Sequence, residues 1–363
     1  MQKVNVAVVG CGNISSIYLQ NLTTRFHNVN VYAISDLIPQ NTKEKSEKYG
    51  ISRIMTFEEI IADPNVDVVL NLTTPPIHYR LCKAALEAGK NVYVEKPLSL
   101  RFEEGKELVE LAARKGLLLG CAPDTFLGAG IQTCRRILDE GLIGEVIGAT
   151  AFMVCHGHES WHPGPEFYYK KGGGPMFDMG PYYLTALVNL VGSVDSVSGM
   201  TSISMPTRTI TSQPKYGQII EVEVPTHVNG LLRFHNGAVG SILTSFDVWG
   251  STLPRIEIYG TRGSMLVPDP NGFGGEVKVK QYFDRDFVSY PLVTPDSENS
   301  RGIGLSDMAN ALLSGRKDHR ANGNMALHVL EIMEKIHTSS DTHQELKLET
   351  TCDRPAPLEL TDL

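Results

Sequence analysis

Val4-Asn5-Val6-Ala7-Val8-Val9-Gly10-Cys11-Gly12-Asn13-Ile14-Ser15 decides the fold of this chain. A buried-strand pattern runs straight into Gly-x-Gly-x-x-Ser and then into helix-forming sequence. In that context Gly10 permits a tight turn, Gly12 lets the backbone approach a pyrophosphate, and Ser15 is small enough for helix-on-strand packing. Asn13 and Ile14 complete the turn, and the helix N-terminus behind it supplies N–H groups and a positive dipole end for phosphates. A second apolar run, Val29-Asn30-Val31-Tyr32-Ala33-Ile34-Ser35, ends in Asp36. An acid at that place hydrogen-bonds adenosine ribose hydroxyls, which points to NAD rather than NADP. The alternative is that the glycines only close a tight strand-to-helix turn. The succession of strand, turn, helix, strand and acid favours the dinucleotide.

From this start the pattern to about Pro123 alternates apolar runs with amphipathic segments, the sign of a parallel sheet covered on both faces. Strands are expected near Val4–Val9, Val29–Ser35, Ile54–Met55, Val66–Leu72, Asn91–Val94 and Leu117–Cys121. A capping box begins at Thr56, and Gly89 and Gly116 stand where the helices Leu81–Ala88 and Glu103–Lys115 should stop. Beyond Pro123 a helix near Ile131–Glu140 feeds a strand at Glu145–Cys155, a His, Pro, Tyr and Gly-rich loop, and a helix at Met176–Val191. Longer strands follow, with Val228–Phe234 and Val239–Phe246 joined through Asn236-Gly237, a hairpin signal. Arg255–Tyr259 and Glu276–Tyr282 add strands, Gly304–Leu313 and Asn324–His337 add helices, and the polar stretch after Thr338 reads as partly unordered. The second half is thus an α+β unit with an open, mostly antiparallel sheet.

The 363 residues, 42% of them hydrophobic, suit two domains. A formal net charge of -8, with no Lys/Arg block, argues against nucleic acid as a partner. A strand beginning at Val4 leaves no room for a signal peptide, and no apolar run reaches the roughly 18 residues of a membrane span. A cytoplasmic location is expected. The six cysteines lack C-x-x-C spacing and read as reduced packing residues.

Chemistry gathers at two places. Glu95-Lys96-Pro97 follows a strand directly, so it lies at the carboxyl edge of the parallel sheet, where cofactors bind. A lysine there can donate to a substrate hydroxyl and take part in acid-base work; otherwise it is a surface strand-end lysine. In Gly172-Gly173-Gly174-Pro175-Met176-Phe177-Asp178-Met179-Gly180-Pro181-Tyr182, Asp178 and Tyr182 are four apart and share a helix face. Carboxylate and phenol side by side can relay a proton, as oxidation of a secondary alcohol requires. Their structural alternative is a dipole partner and a half-buried packing ring.

Together, the Gly-x-Gly start, Asp36, Glu95-Lys96-Pro97 and the Gly-Gly-Gly…Asp178-x-Gly180-x-Tyr182 segment resemble the glucose-fructose oxidoreductase, inositol dehydrogenase and rhizopine-catabolism family (Gfo/Idh/MocA), over nearly the whole chain. The resemblance implies a doubly wound Rossmann domain over 1–123, a substrate-binding and oligomerisation domain over 124–345 and a tail over 346–363. It implies NAD(P)-dependent chemistry on sugars, polyols or their derivatives, in homodimers or homotetramers formed through the C-terminal sheet. By the same resemblance Lys96 matches the catalytic lysine and Asp178 the substrate-holding carboxylate. Tyr182 stands where many members carry histidine, and a phenol with a pKa near 10 has to be tuned to serve near neutrality. Thr73, Thr74, Pro75 and His78 resemble the loop lining the nicotinamide ribose, and Asp124 a polar position facing nicotinamide and substrate. Glu95 and Lys96 join the cofactor set.

Cys155-His156-Gly157-His158-Glu159-Ser160-Trp161-His162 holds three histidines and a glutamate in seven residues, which invites a metal reading. Hydride chemistry needs no metal, so His156, His158, Trp161, His162 and Tyr168 are expected to wall a carbohydrate site instead. Two other classes compete with a dehydrogenase. One is a glycoside hydrolase that oxidises and eliminates with tightly held NAD, and the other is a non-catalytic regulator of the same fold.

Overall fold

The computed structural model describes residues 2–358. The described residues divide into two compact units, 2–128 with 298–327 and 355–358, and 129–297 with 328–354.

In the first unit β1 (Val4–Val9), β2 (Val29–Ser35), β3 (Val68–Asn71), β4 (Asn91–Val94) and β5 (Leu119–Cys121) form one parallel sheet in the order β2-β1-β3-β4-β5. The helices are α1 (Ser15–Thr24), α2 (Pro39–Tyr49), α3 (Phe57–Ala62), α4 (Pro75–Glu87) and α5 (Phe102–Lys115). The chain leaves β1 toward one edge and returns to β3 on its other side, so the carboxyl ends of β1 and β3 lie at the switch point where such sheets bind ligands. Near-continuous aliphatic strands are what a sheet buried on both faces demands. Val69, Val92 and Val94 accordingly pack with Cys82 and Leu86 of α4 and Leu108 of α5. Thr56 and Glu59 make a reciprocal capping box at α3, and left-handed Gly116 ends α5. Ile54 makes only an isolated bridge to Ile34, so the strand expected at Ile54–Met55 does not form.

The second unit opens with α6 (Ala129–Asp139), β6 (Val146–Val154) and α7 (Pro175–Leu190). The strands β7 (Val194–Ser202), β8 (Thr207–Thr209), β9 (Ile219–Glu221), β10 (His227–Phe234), β11 (Val239–Ser245), β12 (Ile256–Gly260), β13 (Gly263–Val267), β14 (Val277–Gln281) and β15 (Val288–Tyr290) follow. With β16 (Leu346–Lys347), nine strands make one sheet, β15-β14-β13-β12-β6-β11-β10-β7-β16, antiparallel except where β6 meets β11. β8 and β9 pair separately. At the β10–β11 hairpin Gly237 has φ +89, and Phe234 N–H donates to the Ala238 carbonyl, closing a three-residue loop.

Two boundaries differ from expectation. The first unit continues to 128 and takes back 298–327, which contains α8 (Ile303–Leu313), because the carboxylate of buried Asp124 accepts the N–H groups of Gly302 and Gly304 at the helix start. The polar stretch after Thr338 is ordered as far as it is described. α9 (Gly323–Thr342) runs through it, and β16 (Leu346–Lys347) pairs with β7. Glu331 then accepts the N–H groups of Glu349 and Thr350. Most polar side chains of the stretch, among them Gln344, Glu345, Lys347 and Glu349, stay exposed, and it is the backbone that α9 and β7 hold, which composition does not reveal. Residues 359–363 of the expected tail lie outside the described residues. Among the described residues no helix is long and apolar enough to cross a membrane.

Candidate active site

In the first unit the glycine loop follows β1. Gly10 has φ +98, and a Cβ there would stand 2.7 Å from the Leu72 backbone at the end of β3, so both torsion and space require glycine. A Cβ on Gly12 would meet nothing within 4 Å, which leaves a clear approach to the loop backbone. Ser15 Oγ donates to the Gly12 carbonyl at 2.6 Å and fixes the turn from inside the helix. α1 has no side-chain cap and no acidic residue in its first turn, so nothing of its own competes with an anion for its N–H groups. Asp36 accepts the Cys11 N–H at 2.7 Å on one oxygen and the Ile38 N–H at 2.8 Å on the other. A pyrophosphate and an adenosine ribose thus fit this edge: a glycine cradle, uncapped helix N–H groups and a carboxylate at the end of β2.

Beside it, Thr73 donates through both N–H and Oγ1 to Asn71, Thr74 is the N-cap of α4, and Pro75 is its first residue. His78 is wholly buried, one ring nitrogen 2.8 Å from the Pro97 carbonyl and the other 3.0 Å from that of Thr73. Burial pushes its pKa below the ordinary histidine value. The expectation that His78 touches the cofactor is corrected: it staples the loop after β3 to the loop after β4. Glu95 is buried, accepts the Tyr18 hydroxyl at 2.7 Å, and takes the Lys96 N–H at 3.0 Å on its other oxygen. It anchors the lysine's backbone. Asp124 is likewise corrected from substrate contact to cap of α8. Burial lifts its carboxyl to about 6, opposed by the Gly304 and Gly302 N–H groups and by Arg301.

In the second unit the glycines before α7 close the His-rich loop. Gly174 has φ +88 and donates to the Tyr168 carbonyl at 2.7 Å, while a Cβ on Gly173 would meet the Phe167 carbonyl at 2.4 Å. Asp178 falls in the first turn of α7, with Tyr182 one turn on. His158 Nε2 lies 3.3 Å from Asp178 Oδ2. Burial works against a charged His158, but its hydrogen bonds to Asp178, Cys155 and the Gly157 backbone, with the Asp178 charge, outweigh it and hold the imidazole at about 9. Tyr168 meets the imidazole edge-on with centroids 3.9 Å apart, and Trp161 lies at 5.3 Å. His162 Nδ1 accepts the Gly164 N–H, and burial pushes this ring below its ordinary pKa. His156 stacks on Trp249 with centroids 3.3 Å apart.

Glu159 departs from any ligand role. One of its oxygens accepts Arg208 Nη1 at 2.9 Å, the other takes the His158 N–H and the Tyr169 hydroxyl. Arg208 also bonds Asp247 and the Phe246 carbonyl. Among the described residues no group of three His, Cys, Asp or Glu side chains is arranged to hold a metal ion. Sequence reasoning did not single out Arg208, Asp247 or Trp249. The available signal for Trp249 was its rarity, as one of two tryptophans. For Arg208 there was none, because a buried arginine in Thr-Arg-Thr looks like an exposed strand.

Residues 4–122 match the model for the oxidoreductase family with NAD-binding Rossmann fold, and residues 131–266 match the GFO/IDH/MocA C-terminal domain. An uncharacterized oxidoreductase of Schizosaccharomyces pombe is 24% identical, over 96% of this chain and 100% of that protein. Myo-inositol 2-dehydrogenase of Thermotoga maritima is 27% identical, over 72% and 75%. Levoglucosan dehydrogenase, solved with NADH and levoglucosan, superposes with a TM-score of 0.82 at 22% identity, over 96% of this chain and 100% of that one. At that identity the likeness shows the fold alone.

Proposed function

The chain belongs to the Gfo/Idh/MocA family of oxidoreductases, and from that premise we propose that it oxidises a secondary alcohol of a sugar, polyol or glycoside with NAD as acceptor, in the cytoplasm. The observation that supports this most is the first turn of α7, where Asp178 is bonded to His158 and followed one turn on by Tyr182. A carboxylate there seats the reacting hydroxyl, and Tyr182 with Lys96 manages its proton. The cofactor, when bound, supplies the acceptor for the hydrogen on the alcohol carbon. Trp161 and Tyr168, packed on His158, suit the apolar face of a pyranose, and His156 and His162 its hydroxyls. The myo-inositol 2-dehydrogenase relative agrees in substrate class. The test is a screen of sugars, inositols and glycosides for NADH formation, with mass spectrometry of the keto product. A purified protein that reduces NAD with none of them overturns the reading, and release of an aglycone without net NADH would favour the hydrolase class.

Cofactor choice follows from Asp36. An ionised carboxylate bonds ribose hydroxyls and repels a 2′-phosphate, and hydrogen bonds to charged groups contribute about 1.5–3 kcal/mol. Exposed Leu37 and Ile38 come next, with no arginine to receive the phosphate. NAD should therefore bind at least about tenfold tighter than NADP. Asp36→Ala should narrow the gap. Fluorescence titration showing NADP binding equally well would sink this.

Homodimers or homotetramers through the C-terminal sheet are the proposed assembly. On neighbouring strands β11, β10 and β7 the side chains of Val239, Leu231 and Met200 are exposed on one face, while Val228, Leu232 and Phe234 alternate to the other and are buried. An exposed apolar set on one sheet face marks an interface. Leu231→Arg should yield monomers in light scattering at micromolar concentration; an unchanged mass, or a monomeric wild type, rejects the interface.

A further inference from the structure

His158 and Asp178 are twenty residues apart in sequence and joined in space, Nε2 to Oδ2 at 3.3 Å. Hydride chemistry by Lys96 and Tyr182 leaves this imidazole without a task. Its setting is specific. The backbone N–H of His158 donates to Glu159 Oε2 at 2.9 Å, and the ring is packed by Tyr168, Trp161 and Phe246. The backbone is thus pinned, the ring is clamped by aromatic edges, and a nitrogen is aimed at the carboxylate. A side chain needed only for packing would not require a nitrogen there.

We propose that His158 is a positioning residue for the reaction: by bonding one oxygen of Asp178 it sets the plane and charge of that carboxylate, and so the grip on the substrate's reacting hydroxyl. The role rests on the functional reading above, in which Asp178 seats that hydroxyl. No covalent or redox step is added to the chemistry.

The charged and titratable neighbours decide how the pair responds to pH. Asp178 faces the imidazole from α7, Cys155 and Glu159 come from its own loop, and His162 and Tyr168 lie beyond the aromatic edge. Tyr169 OH is 3.3 Å from the His158 N–H and also bonds Glu159. Glu159 is engaged by Arg208, which Asp247 also binds, and His162 is held below its ordinary pKa, leaving Asp178 as the charged partner that, with the hydrogen bonds to Cys155 and the Gly157 backbone, keeps His158 protonated. The imidazolium persists up to about 9. Below that the pair is a zwitterion and Asp178 is fixed. Above it the ion pair loses its positive member and the carboxylate is held by a neutral donor only.

Steady-state kinetics on the best sugar from the screen, as a function of pH, test this. In the wild type KM should rise as pH passes through about 9, with kcat changing less. His158→Leu should raise KM at least about tenfold near neutrality with NADH affinity unchanged, because only the sugar's grip is lost. His158→Gln, which keeps a neutral amide donor, should recover much of that loss and show no break near 9. A direct readout is the His158 imidazole titration by NMR, assigned by its disappearance in His158→Gln. In Asp178→Asn it should fall by at least about one unit. If His158→Leu does not fold, His158→Gln and the titration still decide. A break that survives in His158→Gln, or a titration indifferent to Asp178→Asn, overturns the role. Absence of sugar turnover by the wild type overturns the functional reading and this role with it.

Discussion

Lys96→Met is expected to lower kcat by about 10²–10⁴-fold, the ordinary contribution of a positioned acid-base group, while NAD affinity falls far less. Lys96 follows β4 at the carboxyl edge of the parallel sheet, and its backbone is held on both sides. Its own N–H donates to Glu95, and the carbonyl of Pro97 is engaged by His78. A lysine so anchored moves only through its side-chain torsions. Tyr182→Phe removes a single oxygen from α7 one turn beyond Asp178 and should also cost a large factor in kcat. If the two groups act as one relay, the double mutant loses less than the product of the single losses. Tyr182→Phe with kcat within about twofold of wild type removes the phenol from the proton path. In that event His158, already bonded to Asp178, becomes the group to test.

Much of the first unit was legible because a sheet covered on both faces needs continuous aliphatic strands, and those runs stand out between capping and glycine signals. β7 was harder to read. Its Val194-Asp195-Ser196-Val197-Ser198-Gly199 mixes polar residues with a glycine, and the reason for the glycine lies elsewhere in the chain. A Cβ on Gly199 would stand 2.1 Å from the Ile336 carbonyl, because α9 packs directly on the strand backbone. In the site, the spacing of Asp178 and Tyr182 was readable because a helix puts residues four apart on one face. The bond from His158 to Asp178 was not, since a loop's path across twenty residues leaves no periodic trace. His78 and Asp124 show the opposite error. His78 lies in the first turn of the helix after β3 and Asp124 in the loop after β5, places where polar residues usually meet ligands, yet both are buried and spent on backbone groups. Position along a sheet edge is visible in sequence; what a side chain finds when it turns inward is not.

Arg208→Met should destabilise the second unit by about 3–5 kcal/mol, the loss expected when one partner of a buried ion network is removed. Arg208, at the centre of β8, is nearly inaccessible, as are Glu159 and Asp247, which it joins. Asp247 further accepts Thr226 Oγ1 at 2.7 Å, and the Glu159 backbone carbonyl accepts the N–H groups of Thr211 and Ser212. Methionine fills similar volume but leaves two carboxylates in a dry environment without a cation. The cost therefore comes chiefly from the orphaned acids, which yields a second expectation. Combining Arg208→Met with Glu159→Gln and Asp247→Asn should regain a large part of the loss, since no charge is then left unpaired. Arg208→Lys should fall between, keeping the charge without the fork that reaches both acids. Denaturant midpoints by circular dichroism measure all three, and a midpoint for Arg208→Met equal to wild type would refute the argument. The same network orders the loop that carries His158, because Glu159 holds that residue's N–H and the Tyr169 hydroxyl. Folded Arg208→Met protein should accordingly show a raised KM for sugar at nearly unchanged NAD affinity, which ties the stability of this network to the geometry of the proposed substrate site.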